Sequence, residues 1–213
     1  MSFLRPLLTL AAAVAILAST YFAILEIAES KADGLAGGET FVLDSRHGAE
    51  SAAFSGLLAR LGEWDEEGLA ASLVSLRDAG HIHVAPRLGG GRSAVYVNAL
   101  GLVSRIYLRG DNLVLRGLPF PDLDIPERAQ RTFAMIRLAG TLVHELAHYG
   151  GIEDEDAAYD REIEWYRQLG ERNADRLAGD ERRLFDWALA SALASAEAAR
   201  EKAVPTPRPA QGR

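Results

Sequence analysis

The chain has no cysteine among its 213 residues, which excludes both disulfides and a lipid-modified cysteine near the N-terminus. Its folded body must therefore be stable without covalent cross-links. Clusters of basic residues are also absent and the net charge is -7, which argues against a nucleic-acid-binding protein. Methionine is scarce, since only Met1 and Met135 occur, and both precede the motif described next.

Two histidines four residues apart are the most informative feature of the sequence. His144 and His148 lie in the segment TLVHELAH (141–148), in which Glu145 directly follows the first histidine. On a helix both imidazoles can reach one tetrahedral metal ion and leave room for a third protein ligand and a water. A zinc ion lowers the pKa of a bound water to about 7, and Glu145 can take its proton as the water attacks a polarised carbonyl. The motif predicts metal-assisted hydrolysis.

The residues around the motif favour a buried helix. From Phe133 to Tyr149 the only charged residues are Arg137 and Glu145, and the only histidines are the two of the motif. Burying these groups without partners would cost several kcal/mol, and a shared cation with its water removes that cost. The alternative is an amphipathic helix that carries the histidines and the glutamate on its solvent face.

The segment from Ala139 to Gln168 resembles the zincin metallopeptidases. Thr141 stands three residues before the first histidine, as their motif prefers, and the residues between the histidines are otherwise uncharged. The resemblance implies a Zn²⁺-dependent peptidase that acts on a peptide or protein substrate, with Glu145 as general base. Two other functions stay open: a non-catalytic, membrane-anchored binding protein that retains a zincin scaffold, and a zinc hydrolase of small amides or cell-wall peptides.

The third metal ligand has two candidates. A glycine pair at 150–151 ends the motif helix, and a second helix begins directly afterwards. Glu155, in its first turn, resembles the third ligand of the glutamate-ligand zincins and is the one we expect. Asp154 fits the metzincin spacing, but that family needs a methionine turn downstream, and both methionines lie upstream. Asp154 is also a suitable N-cap for the second helix.

Other polar residues near the motif have weaker assignments. Glu162 follows Glu155 by seven residues, so it shares a helix face with it and can orient a ligand histidine, although a solvated role is the simpler interpretation. Tyr159 or Tyr149 can polarise a substrate carbonyl, although a buried tyrosine is the simpler interpretation. His81 and His83 alternate along a strand, which an exposed strand face explains.

The second large feature is a run of 19 uncharged residues from Leu7 to Leu25. At about 1.5 Å per residue a helix of this length spans a bilayer. Arg5 precedes the run, so the positive-inside rule places the N-terminus in the cytoplasm and the body on the extracytoplasmic side. The run exceeds the usual apolar core of a cleavable signal peptide, which favours an uncleaved, single-pass signal anchor over residues 1–33.

The remaining sequence predicts one α+β domain. We expect a linker at 34–40, the domain at 41–203 and a disordered proline-rich tail at 204–213. Helical spacing over 49–61 and 66–78 predicts a helical pair. Short β-rich runs from 81 to 116, separated by glycine turns, predict a small antiparallel sheet. The resemblance to zincins implies that its edge strand pairs with an extended peptide, and a sheet that only covers the motif helix has the same sequence pattern. The motif helix and further C-terminal helices follow.

Overall fold

Six helices and a four-stranded sheet form the part of the chain that the computed structural model describes, which covers residues 13–24, 40–44, 48–64, 66–89, 92–99, 103–111 and 127–203. The protein is a mixed α+β structure. The helices are α1 (13–24), α2 (Gly48–Glu63), α3 (Glu67–Asp78), α4 (Glu127–Tyr149), α5 (Glu155–Arg172) and α6 (Gly179–Ala203). The strands are β1 (Phe41–Val42), β2 (Ile82–Ala85), β3 (Ala94–Ala99) and β4 (Val103–Arg109).

The sheet is mixed, so the prediction of an antiparallel sheet is wrong for its centre. The strand order is β1-β2-β4-β3. β1 is antiparallel to β2 and β3 is antiparallel to β4, but β2 and β4 are parallel, with Ile82 opposite Ile106. The reason is that the connection after β2 carries the chain past one strand position, so that β3 lies at the edge and β4 returns beside β2. The run expected as a further strand at 112–115 lies outside the described residues.

The central position of β2 explains why its four residues are all buried. Ile82 and Val84 belong to the main hydrophobic core, while Ala85 belongs to a second, smaller cluster. Because a strand with both faces covered has no exposed side, the expectation that His83 lies on an exposed strand face is wrong, and its side chain is buried. Ile24 of α1 packs against the second cluster.

Helical spacing identified the N-terminal helical pair correctly. The α2 residues Phe54, Leu57 and Leu61 recur every three or four positions and form its buried face. The motif helix, α4, is described from Glu127. The C-terminal region forms one long helix, α6, where one or two were expected.

Helices α4, α5 and α6 pack against one another, and α4 also contacts β3. Gly151 has a φ of 96°, a left-handed conformation that glycine adopts without strain, and it turns the chain from α4 into α5. The two helices approach closely at Gly140. A Cβ built there would overlap the hydroxyl and Cζ of Tyr166 and would lie 2.7 Å from its Cε1.

Two segments predicted near the chain ends lie largely outside the residues that the structure describes. These are the linker at 34–40, of which only residue 40 is described, and the tail at 204–213. The run expected to span a membrane, 7–25, is described only at 13–24, where it is helical. Within the described ranges, no helix combines the length and the apolar character that crossing a bilayer requires.

Candidate metal site

The C-terminal half of α4 and the first turn of α5 bring three candidate ligands together. His144 Nε2 lies 3.1 Å from His148 Nε2 and 3.2 Å from Glu155 Oε2, and His148 Nε2 lies 3.7 Å from Glu155 Oε1. Two ligands bound at 2.0–2.1 Å to a tetrahedral zinc are about 3.3 Å apart. The 3.1 and 3.2 Å separations lie close to this value, while the 3.7 Å separation is to the other Glu155 oxygen. The three groups lie close enough together to hold one metal ion. Both histidine side chains are largely buried, whereas the Glu155 side chain is 63% exposed and forms the solvent side of the site.

Neighbouring groups orient both imidazoles. The Nδ1 of His148 lies 2.6 Å from the carbonyl oxygen of Ile152, so Nδ1–H donates there and leaves the Nε2 lone pair for a metal. Among the residues that the structure describes, the buried Nδ1 of His144 has no hydrogen-bond partner, but a Glu162 carboxylate oxygen lies 3.7 Å away. Glu162 is itself buried and accepts a hydrogen bond from the Tyr166 hydroxyl at 3.0 Å. A small approach of Glu162 to His144 would give the carboxylate–histidine pair that commonly supports a metal ligand.

Glu145 lies beside the three ligands but outside their cluster. Its buried carboxylate accepts a hydrogen bond from the backbone N–H of Tyr96, on the edge strand β3, at 2.6 Å. Burial raises the pKa of Glu145 to about 7, and the Tyr96 hydrogen bond opposes part of that increase. A carboxylate near its pKa at neutral pH is suited to accepting and returning a proton.

Burial also favours the neutral forms of the His144 imidazole and the Tyr159 phenol. It lowers the pKa of His144, and the adjacent His148 lowers it further, which favours the neutral imidazole that a metal requires. The Tyr159 ring packs on His144 with a centroid separation of 4.4 Å, and burial raises the pKa of its phenol. Tyr159 and Tyr149 both line the cleft, but the hydroxyl of Tyr149 lies 3.1 Å from His81 Nδ1. Tyr159 is therefore the better placed of the two for a substrate.

The three candidate ligands line a cleft of about 1230 Å³ between β3 and helices α4, α5 and α6. Its wall contains four acidic side chains, which are Glu145, Glu153, Glu155 and Glu162. Two cations, Arg92 and Arg137, also line it. The cleft can therefore hold an extended ligand that carries charge of either sign.

The remaining sequence candidates lie away from the three ligands. Asp154 is the N-cap of α5, and its side chain accepts a hydrogen bond from the Ala157 N–H at 2.8 Å. His83 faces the Gly80 carbonyl, at 3.1 Å from Nε2. Burial, followed by the charge of Arg105, lowers the pKa of His83 to about 4.

Sequence reasoning missed the contribution of β3 to the site. Tyr96 is 49 positions from Glu145, and nothing in the local pattern of either segment indicates their contact. Arg137 could have been found, because it lies seven residues before His144 and therefore on the same helix face.

The chain matches no protein-family model, no curated protein and no solved structure. The chemistry of the site is therefore inferred from its residues and their geometry.

Proposed function

We propose that this protein is a zincin-type, zinc-dependent peptidase in which His144, His148 and Glu155 hold the metal and Glu145 is the general base. The main support is that His144, His148 and Glu155 each bring a ligand atom within 4.8 Å of the others, with two of the separations, 3.1 and 3.2 Å, close to those of a tetrahedral zinc site. Glu155 is preferred to Asp154 as the third ligand, since the Asp154 carboxylate already caps α5.

Each step of hydrolysis has a residue suited to it. When bound, the metal would polarise the scissile carbonyl and activate a water for attack. Glu145 accepts the proton of the attacking water and delivers it to the leaving amine. Tyr159 remains protonated at neutral pH and donates a hydrogen bond to the oxyanion that develops. The Ile152 carbonyl holds His148 in orientation, and Glu162, 3.7 Å from His144 Nδ1, would do the same for His144 after a small approach.

The position of β3 favours a peptide as substrate. This strand lies at the edge of the sheet and lines the cleft, and the Tyr96 N–H is directed to Glu145 rather than to a neighbouring strand. An extended peptide that enters the cleft can pair its main chain with this edge. Its scissile bond would then lie beside the metal ligands and Glu145.

Membrane attachment is a second part of the proposal. Residues 7–25 form a single-pass anchor, with the N-terminus in the cytoplasm and the catalytic body on the extracytoplasmic side. The uncharged run supports it, as do the large apolar side chains that α1 leaves exposed, among them Ile16, Leu17 and Phe22. The full chain should remain with membranes in alkaline carbonate, and the chain without residues 1–33 should be released. Release of both would contradict the anchor.

Metal content tests the ligand set directly. The full chain is purified in detergent, supplied with zinc and analysed by mass spectrometry as wild type and as Glu155→Ala, with Glu153→Ala as the matched control that removes a neighbouring acid of the same cleft. We expect one zinc per chain in wild type, Glu153→Ala, Asp154→Ala and Glu145→Gln, and loss of zinc in Glu155→Ala.

Hydrolysis of a peptide mixture is then compared between wild type and Glu145→Gln. Cleavage in wild type alone would support the proposal. A wild type without metal would contradict it. Retained metal without hydrolysis of peptides or small amides would favour the non-catalytic binding protein instead.

A further inference from the structure

Arg137 is a half-buried cation in the wall of the cleft. It lies on α4, seven residues before His144, which places it about 10.5 Å away along the helix axis and on the same face. Within the described part of the chain, its guanidinium forms no hydrogen bond and no ion pair. A guanidinium carries five donors that require acceptors when water is excluded.

Other arginines of α4 have carboxylate partners on the surface. Arg131 pairs with Glu127, and Arg128 lies 3.9 Å from Glu181. Arg137 is therefore distinct from the other arginines of its helix both in its burial and in its unpaired guanidinium.

Glu162 does not satisfy Arg137. The two side chains interact electrostatically, but they form no ion pair with a nitrogen–oxygen distance within 4 Å, and Glu162 accepts its hydrogen bond from Tyr166. Glu162 instead faces His144, so its position is explained by the imidazole. The Arg137 guanidinium remains available to a group that enters the cleft.

The lining that α6 contributes to the cleft is small. Small side chains of α6 line the cleft, namely Ser195, Ala196, Ala199 and Ala203. The second cleft cation, Arg92, is exposed to solvent at the end of β3. Arg137 is the more buried of the two cations, and a planar guanidinium binds a carboxylate through two parallel hydrogen bonds.

We infer that Arg137 binds a carboxylate of the substrate and so makes the enzyme selective for peptides that carry a carboxylate near the scissile bond; this rests on the proposed peptidase function. An extended chain advances about 3.4 Å per residue, so the axial separation corresponds to about three residues between the scissile bond and the carboxylate. The carboxylate has two sources, the C-terminus of the peptide or an aspartate or glutamate side chain.

Three matched peptides separate these sources. They share one sequence and carry a free C-terminal acid, a C-terminal amide, or a C-terminal amide with one glutamate at the corresponding distance. Values of kcat/KM are measured on the full-length, zinc-loaded protein as wild type, Arg137→Met and Arg137→Lys. Arg131→Met is the matched control, because it removes an exposed arginine of the same helix.

We expect the wild type to prefer one or both carboxylate peptides to the amide by about 10- to 100-fold, the contribution of a hydrogen bond to a charged group. Arg137→Met should lose this preference with its zinc content unchanged, and Arg137→Lys should keep part of it. Arg131→Met should match wild type. Preference for the free acid alone identifies the C-terminus, and preference for the glutamate peptide identifies a side chain.

A charge reversal provides the second variant. Arg137→Glu should prefer a peptide with lysine at the glutamate position. Equal cleavage of the three original peptides by wild type would overturn the inference and leave the proposed function standing. Loss of zinc in Arg137→Met would also overturn it, because Arg137 would then act through Glu162 and His144. Absence of cleavage of any peptide by zinc-loaded wild type would overturn the proposed function and this inference together.

Discussion

Replacing Gly140 by alanine should strongly destabilise the protein, although alanine is the better helix former. The substitution adds one methyl group in the interior of α4, opposite Tyr166 of α5. That methyl would overlap the hydroxyl and Cζ of a ring that is fully buried. Because the ring cannot rotate into solvent, either the two helices separate or Tyr166 moves away from Glu162.

Three contributions decide the magnitude. Helix propensity favours alanine by up to about 1 kcal/mol. Overpacking of a dense core costs about 1–3 kcal/mol. Loss of the Tyr166 hydrogen bond to the Glu162 carboxylate costs about 1.5–3 kcal/mol more. The expected net loss is about 2–5 kcal/mol, which corresponds to a fall in Tm of roughly 4–20 °C for a protein of this size.

Thermal and urea unfolding of metal-free protein measure this loss, with Gly56→Ala as the matched control. Gly56 also lies inside a helix, but a Cβ there would have no neighbour within 4 Å, so alanine should stabilise by roughly 0.5–1 kcal/mol. In a Tyr166→Leu background, Gly140→Ala should become nearly neutral. A Tm at or above wild type for Gly140→Ala, or the same loss in both backgrounds, would refute the packing argument.

Three further predictions concern single side chains. The pKa of His83 is about 4 in the folded protein and 6.5 in the unfolded chain, so the unfolded state binds more protons between these two pH values. The free energy of unfolding should therefore fall by up to about 3 kcal/mol as the pH drops from 6.5 to 4. Urea unfolding of metal-free protein should show a smaller fall for His83→Gln. Glu162→Gln should weaken zinc binding about 10- to 100-fold in a chelator competition, and affinity equal to wild type would show that Glu162 does not orient His144. Glu145→Gln should keep zinc and lower kcat at least about 100-fold, and a kcat near the wild-type value would exclude Glu145 as the base.

Contacts between residues that are close in the sequence could be predicted, whereas contacts between distant segments could not. The proposed ligand set is local, because His144, His148 and Glu155 lie within 12 residues joined by one glycine turn. Helical spacing nominated the two histidines, and the resemblance to glutamate-ligand zincins nominated Glu155. The pairing of β2 with β4 depends on where the chain crosses the sheet, which alternation of apolar residues does not encode.

The position of His83 shows a related limit of sequence reasoning. Its alternation with apolar residues correctly predicted a strand. Whether both faces of that strand are buried, or one face is exposed to solvent, depends on which other segments pack against it. The same applies to Gly140, whose role depends on a ring 26 positions later on another helix.

The sheet order also bears on how the folded protein avoids self-association. Unpaired strand edges are templates on which chains aggregate. In the described part of the chain the two edges are β1, which has only two residues, and β3, whose outer side lines the cleft. A second folded sheet cannot reach an edge that helices border, whereas a single extended chain can enter. Detachment of α4 would uncover β3, so opening at this helix should be the first step towards aggregation.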